Sequence, residues 1–260
     1  VTMSKPILWI VIPCYNEEQV LPITAPMFLQ KITSLTEKGM ISDKSRVLFV
    51  NDGSRDNTLE ELVKLHDAHP GIVKVIDFSR NFGKEGGLLA GLENATGNYV
   101  TVMDADLQDP PEYLPKMFEA MNQQHVDIVG TRRVTRKGEP KIRSFFARQF
   151  YKLINKFTEV EIVDGARDFR LMTREVVDSV LSLQEYHRFS KGIFAWVGYK
   201  TIYLEYENVE RVAGETSWSF WKLFAYAIEG IVAFTVAPLR MATISGIFVS
   251  IIAFLYMIFV

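Results

Sequence analysis

Through its first 130 residues the chain alternates short apolar runs, rich in β-branched and aromatic residues, with longer segments of helical periodicity. The runs at 7–12, 46–50, 73–78, 99–103 and 127–130 have the length and composition of strands, whereas 18–35, 58–67, 84–95 and 112–123 repeat their apolar positions at helical spacing. Strand–helix alternation at this spacing predicts an α/β domain with a mostly parallel sheet covered by helices on both faces. Ligands of such sheets bind beyond the carboxyl ends of the strands. Polar clusters stand at three of those ends: Tyr15-Asn16-Glu17, Asn51-Asp52-Gly53-Ser54 and Asp104-Ala105-Asp106. One cluster alone is an ordinary turn or helix cap; three on one rim make a site.

The pattern changes toward the C-terminus. After Arg240, the 20 residues 241–260 carry no charge, and as a helix they extend roughly 30 Å, the thickness of a bilayer core. A buried core helix is the alternative reading. Because the chain starts at Val and stops within apolar sequence, we expect it to be trimmed, with membrane sequence continuing past Val260. Residues 218–236 hold six aromatics (Trp218, Phe220, Trp221, Phe224, Tyr226, Phe234), with Lys222 and Glu229 seven apart on one face. That stripe suits a helix lying in a membrane interface and passing through Pro238 into the span, although a helix packed on the core shows the same stripe. The expected organisation is a catalytic domain at 1–210, an interfacial helix at 211–237 and a transmembrane helix at 238–260. Between Arg132 and Lys156, nine Lys or Arg residues face a single acid, Glu139. Arg148, Lys152 and Lys156 share a helix face, which is either solvated or turned toward lipid headgroups or an anionic substrate.

Overall charge narrows the field. With 29 basic against 31 acidic residues, net −2, the chain lacks the bias of a nucleic-acid binder. The lone Cys14 allows no intrachain disulfide, which suits a reducing compartment. The apolar run at 7–12 meets Pro13 and polar residues too soon for a secretory signal.

Asp104-Ala105-Asp106-Leu107-Gln108 carries the sharpest local chemistry. Two carboxylates and a carboxamide at alternate positions offer three oxygen ligands to a hard cation, Mg²⁺ or Mn²⁺, which leaves other positions to substrate phosphates. His66, His69, His125 and His187 are scattered without zinc spacing. Asp52 suits a nucleoside contact, or equally an Asx-turn. The segment from Arg80 to Gly87 combines cations with glycines that let backbone approach a phosphate, yet matches neither the dinucleotide nor the P-loop spacing.

Taken in order, Val11-Ile12-Pro13-Cys14-Tyr15-Asn16-Glu17-Glu18, Asn51-Asp52-Gly53-Ser54-Arg55-Asp56, Ser79-Arg80-Asn81-Phe82-Gly83-Lys84 and Asp104-Ala105-Asp106-Leu107-Gln108-Asp109-Pro110 resemble the family 2 glycosyltransferases of GT-A, Rossmann-like fold. Asp168-Phe169-Arg170-Leu171-Met172, Lys191-Gly192-Ile193, Trp196-Val197-Gly198 and Glu210-Arg211-Val212-Ala213-Gly214-Glu215-Thr216 extend the resemblance to the dolichyl-phosphate mannose synthases and, nearer still, the bactoprenol glucosyltransferases. The resemblance implies that Pro13, Tyr15, Glu17 and Asp52 hold the nucleoside. It assigns Asp104, Asp106 and Gln108 to Mg²⁺ or Mn²⁺, Lys84 and Arg211 to the donor diphosphate, and Arg132 and Arg143 to the lipid phosphate. Asp168 and Asp106 fall at the positions regarded as catalytic.

Two positions depart from the pattern. Ser217 stands where relatives often carry Lys, so that one diphosphate contact is expected either to be missing or to be supplied by Lys84, and Arg167 stands beside Asp168, where it is expected to alter that residue's charge environment. The implied reaction is inverting transfer of a hexose, most readily glucose from UDP-glucose, onto undecaprenyl or another polyprenyl phosphate for cell-surface glycan modification. N-acetylglucosamine, galactose and mannose donors are the alternatives. The partners expected are the donor, the lipid acceptor and a membrane, with homo-oligomerisation left open. The implied location is the bacterial cytoplasmic membrane, with the catalytic domain facing the cytoplasm. A processive polysaccharide synthase is a rival reading, but Gln184-Glu185-Tyr186-His187-Arg188-Phe189 only approximates the Gln-x-x-Arg-Trp motif of those enzymes. A non-catalytic nucleotide-sugar sensor is the other rival, and it has no need of the metal set.

Overall fold

The computed structural model describes residues 5–134, 155, 163, 165–184, 188–206 and 237–260. Strand β1 (Leu8–Cys14) leads to helix α1 (Leu21–Glu37), β2 (Arg46–Asn51), α2 (Thr58–Ala68), β3 (Val73–Asp77), α3 (Lys84–Asn94), β4 (Tyr99–Val102), α4 (Tyr113–Gln124) and β5 (Ile128–Arg133). Every strand and helix expected within the first 130 residues forms, with ends shifted by a few residues. Helix α1 starts later than its periodicity suggests because Pro22, at the start of the helix, suits the first turn, where no N–H is needed.

Beyond the alternating region the chain adds β6 (Ala166–Thr173), α5 (Arg174–Ser182), α6 (Ser190–Trp196), β7 (Thr201–Tyr206) and α7 (Ala237–Phe259). The sheet has seven strands in the order β3-β2-β1-β4-β6-β5-β7. All are parallel except β6, which runs against both β4 and β5.

Side-chain alternation divides the core in two. Leu8, Ile10 and Ile12 of β1 and Phe49 of β2 face α1 and α4, joining Phe28, Ile32, Leu114 and Met117. Val11, Leu48 and Val50 face the other way, joining Leu88, Leu92, Val176 and Ile193 from α3, α5 and α6. Both faces of the sheet are thus covered, as a parallel sheet requires.

Helix α7 stands apart from this core. Its 23 residues extend about 35 Å. The stretch Leu239–Phe259 has a mean hydropathy of 2.2 and none of it is buried, so it is long and apolar enough to cross a membrane and does not behave as a core helix. The interfacial segment expected at 211–237 lies outside the described residues except for its last one, and so does most of the basic stretch 132–156.

Helix α3 packs flush on β1. A Cβ added at Gly91 would lie 2.2 Å from Cγ1 of the buried, β-branched Val11. In an open helix Gly→Ala stabilises by roughly 1 kcal/mol, whereas overpacking of this kind costs about 1–3 kcal/mol. Gly91→Ala should therefore lower the denaturant midpoint, and a stabilised variant would show that the α3–β1 contact is looser than described.

Candidate active site

The loops at the carboxyl rim brace one another. After β1, the Asn16 amide donates to Ser54 Oγ (3.0 Å) and its side-chain oxygen accepts from the Arg55 amide (2.9 Å). The Glu17 amide donates to Thr58 Oγ1 (2.8 Å), and Glu18 accepts from the Asn57 amide (2.9 Å). Asn16 sits at φ 56°, a left-handed conformation that Asn tolerates. Gly53 has φ +61°, and a Cβ there would lie 2.3 Å from the Arg80 carbonyl carbon, so only glycine lets the loop after β3 lie against the turn after β2.

Asp52 fastens that loop. Buried, it accepts from the Phe82 amide (2.6 Å) and from Asn81 Nδ2 (2.9 Å). Burial pushes its carboxyl up, and the Phe82 and Gly83 amides pull it back. The Arg80 guanidinium stacks 3.9 Å above the Phe82 ring, which also packs edge-on against Phe78. Pro13, Tyr15 and Glu17 are half-buried on the neighbouring rim, with Pro13 close to Gly87 in the first turn of α3.

The charged centre follows from the reversal of β6. Val102 pairs with Arg170 in an antiparallel register, so two residues later in the chain from β4 and two residues earlier in β6, Asp104 comes opposite Asp168. Two neighbouring carboxylates repel unless a cation lies between them. Lys84, the first residue of α3, supplies it: Nζ lies 2.7 Å from Asp104 Oδ1 and 2.6 Å from Asp168 Oδ2. Burial alone would raise the Asp168 carboxyl, but Lys84, Lys191 and Arg170 outweigh it and hold the group well below the usual carboxylate range. Burial likewise opposes the Lys84 charge, and the two carboxylates overcome it and push the ammonium well above its ordinary value. Arg170 is buried, stacks 3.9 Å from the Phe194 ring, and donates to the carbonyls of Arg167 and Asp168.

Asp106 is also buried and turns back to accept from the Gln108 amide (3.2 Å) across Leu107, which adopts φ 54°. A left-handed conformation is uncommon for leucine and marks a locally strained turn. Arg167 braces this turn by donating to Gln108 Oε1 (3.2 Å) and to Asp109 Oδ1 (3.0 Å), with Asp104 Oδ2 3.9 Å away. Asp109 is wholly buried and also accepts from the Tyr206 hydroxyl (2.6 Å), while its second oxygen has no hydrogen-bond partner among the described residues. Burial drives the Asp109 carboxyl up against the pull of Arg167.

The structure thus gathers Lys84, Asp104 and Asp168 at one point, with the Asp106–Gln108 turn directly after Asp104. Arg132 stands at the end of β5, paired in register with Ala166 and 3.8 Å from Glu205. Arg143, Arg211 and Ser217 lie outside the described residues. Arg167, expected to alter the charge environment of Asp168, turns its guanidinium to Asp109, Gln108 and Asp104, and the largest cationic influences on Asp168 are Lys84, Lys191 and Arg170.

Sequence reasoning missed the Asp109–Tyr206 contact, and also Ser190, whose amide and hydroxyl donate to Glu85 and tie α6, with Lys191, to α3. Asp109 directly follows the acidic motif, the one hint available; Tyr206 carries no local signal. As a donor set, Asp104, Asp106 and Gln108 fit a hard divalent cation, since Asp104 already draws two cationic side chains and such ions use few protein carboxylates. Among the described residues no group of three His, Cys, Asp or Glu side chains suits a metal, so an ion held by Asp104 and Asp106 would need Gln108 and substrate oxygens to complete its shell.

The family model for glycosyl transferase family 2 matches residues 9–181. An uncharacterized glycosyltransferase of Synechocystis is 40% identical over 96% of this chain and 76% of its own length. The bactoprenol glucosyl transferase of Shigella phage SfX is 40% identical over 95% of this chain and 78% of its own. Among solved structures, glucosyl-3-phosphoglycerate synthase of Mycobacterium tuberculosis, in complex with Mn²⁺, UDP and phosphoglyceric acid, aligns with a TM-score of 0.56 at 17% identity, covering 87% of this chain and 76% of that one. A mannosyltransferase of Pyrobaculum calidifontis with GDP-mannose and Mn²⁺ aligns with a TM-score of 0.54 at 21% identity, over 81% of this chain and 58% of that one. At these identities the two structures establish the fold.

Removing Arg167 would leave Asp109 as a buried charge without its cation. Arg167→Ala should destabilise the protein by about 3–5 kcal/mol. Adding Asp109→Asn should restore part of that loss, and chemical denaturation of both variants measures it. Equal stability of the single variant and the wild type would remove Arg167 as the brace.

Proposed function

The chain belongs to glycosyl transferase family 2, and on that premise we propose that it transfers a hexose, in first place glucose from UDP-glucose, onto a polyprenyl phosphate. The observation that carries this reading is the breadth of the likeness to the bactoprenol glucosyl transferases. At 95% of the chain, it is too long to end with the nucleotide-sugar half that unrelated acceptor specificities share. The exposed apolar helix α7 supports a lipid acceptor, because it would hold the rim within reach of a headgroup.

On this reading Pro13, Tyr15, Glu17 and Asp52 hold the nucleoside, and Lys84 and Arg211 take the diphosphate. Arg132 and Arg143 take the phosphate of the lipid. Asp104, Asp106 and Gln108 would hold Mg²⁺ or Mn²⁺, which when bound neutralises charge on the departing nucleoside diphosphate. A phosphate oxygen of the lipid forms a bond to the anomeric carbon while the bond to the nucleoside diphosphate breaks, with inversion. The released electrons stay on the diphosphate.

An alcohol acceptor must lose a proton as it attacks. A phosphate monoester has a second pKa of about 6 and is largely a dianion at neutral pH, so the acceptor brings its own charge. We therefore assign Asp168, with Asp106 the other residue of the reacting centre, an orienting role: held ionised, it fixes Lys84 from the β6 side. The proposed location is the bacterial inner membrane, with the catalytic domain in the cytoplasm. Arg240 at the near end of α7 and the unpaired Cys14 agree with that orientation. The product would serve cell-surface glycan modification.

Purified protein given labelled UDP-glucose, UDP-N-acetylglucosamine, UDP-galactose or GDP-mannose together with undecaprenyl phosphate should label the lipid, with UDP-glucose giving the highest rate. Asp106→Asn should fold normally and lose turnover by about a hundredfold or more, the scale of displaced reacting groups. Near-normal activity of this variant, or full activity in excess EDTA, would sink the metal assignment.

A further inference from the structure

Lys84 occupies an unusual place. Its ammonium lies on an oxygen of Asp104, a residue assigned to the metal, while also touching Asp168 across the strand boundary. It is carried on a flexible stem from the first residue of α3, and about a third of its side chain is exposed (34%). Lys84 begins α3, and the positive dipole end of a helix start favours a nearby anion. Lys84 therefore has two kinds of partner within the reach of one side chain: the carboxylates that now hold it, and a diphosphate at the same rim.

The first partnership conflicts with a metal. A divalent ion on Asp104 and an ammonium 2.7 Å from the same carboxylate repel each other and compete for the same lone pairs. Arg167 lies farther off, its guanidinium 3.9 Å from Asp104 and anchored on the buried Asp109, although it also donates to Gln108 Oε1 (3.2 Å), a contact that an ion on Gln108 would have to share or displace. The exchangeable cation of the pair is Lys84.

We propose that Lys84 is a displaceable counter-ion that couples metal binding to donor binding. Its ammonium competes with the divalent ion for Asp104, and the donor's diphosphate relieves that competition by drawing Lys84 onto itself. The site thus takes the metal poorly on its own and well together with a nucleoside diphosphate. This inference rests on the donor-site reading given above. It makes Lys84 a positioning residue with two successive partners, where a simple salt bridge would have one.

Coupling of this kind is reciprocal: the factor by which UDP tightens Mn²⁺ equals the factor by which Mn²⁺ tightens UDP. The test uses the full chain in detergent and titrates Mn²⁺ by the electron paramagnetic resonance signal of the free ion, with and without UDP or GDP. Lys84→Met should bind Mn²⁺ alone about tenfold more tightly than wild type, within the usual range of such couplings. The factor by which nucleotide improves Mn²⁺ binding should shrink by a similar amount. Lys84→Arg, which keeps the charge, should stay near wild type, and Lys84→Gln provides a second neutral variant should the methionine form fold poorly.

A purely structural salt bridge predicts the opposite, with weaker Mn²⁺ binding in the neutral variants and lower thermal stability. Unchanged or weaker Mn²⁺ affinity in Lys84→Met, with the nucleotide coupling intact, overturns the proposal while leaving the donor site standing. Failure of wild type to bind either nucleotide in the presence of Mn²⁺ overturns the donor-site reading itself, and this inference with it.

Discussion

Two carboxylates from adjacent antiparallel strands meet at the rim of the sheet, and the pair is tolerable only because a cation is held between them. Asp104 arrives at the end of β4 and Asp168 near the start of β6. They sit side by side because β6 enters the sheet in the opposite sense to its neighbours. In an all-parallel sheet the start of β6 would lie at the far edge, and Asp168 would face the wrong end of the molecule. Lys84 closes the arrangement from α3, and the flush contact of Gly91 with Val11 sets where that helix lies.

The cost of gathering charge at one rim is spread through its surroundings. Arg167 and Tyr206 converge on the fully buried Asp109, and through Gln108 this buried group steadies the strained turn at Leu107. Burial without partners would protonate such a carboxylate, so Arg167 acts as its counter-charge as much as a contact. Asp52 plays a comparable part on the other side, where it gathers the amides of the loop after β3. Residues that a sequence motif assigns to ligand contact are, in the folded chain, also the fasteners of the loops that would surround the ligand.

Much of this was legible in the residues. The alternation of apolar runs with helical periods placed β1 through β5 and their helices, because each such element buries a face of its own. The three polar clusters marked the rim because they followed strands. The insertion of β6 was not legible: Ala166-Arg167-Asp168-Phe169-Arg170 begins with three charges in five positions, which local pattern reads as surface. Arg170 is nevertheless buried, its charge satisfied by carbonyls and the Phe194 ring. Such pairing across the fold leaves no trace in nearby sequence, which is also why Lys84 could be matched to a diphosphate but not to Asp168, 84 residues away. The apolar span is legible as a candidate for the membrane because 20 uncharged residues have few other uses.

In the proposed reaction a sugar, and not a sugar phosphate, moves onto a lipid phosphate. The most direct measurement is the chemical balance of one turnover with UDP-glucose and undecaprenyl phosphate, followed by phosphorus and proton magnetic resonance of the lipid product. The expected result is release of UDP, a single phosphorus per glucose in the lipid and a β-anomeric linkage. Release of UMP with a diphosphate-linked lipid, or retention of the α configuration, would contradict it.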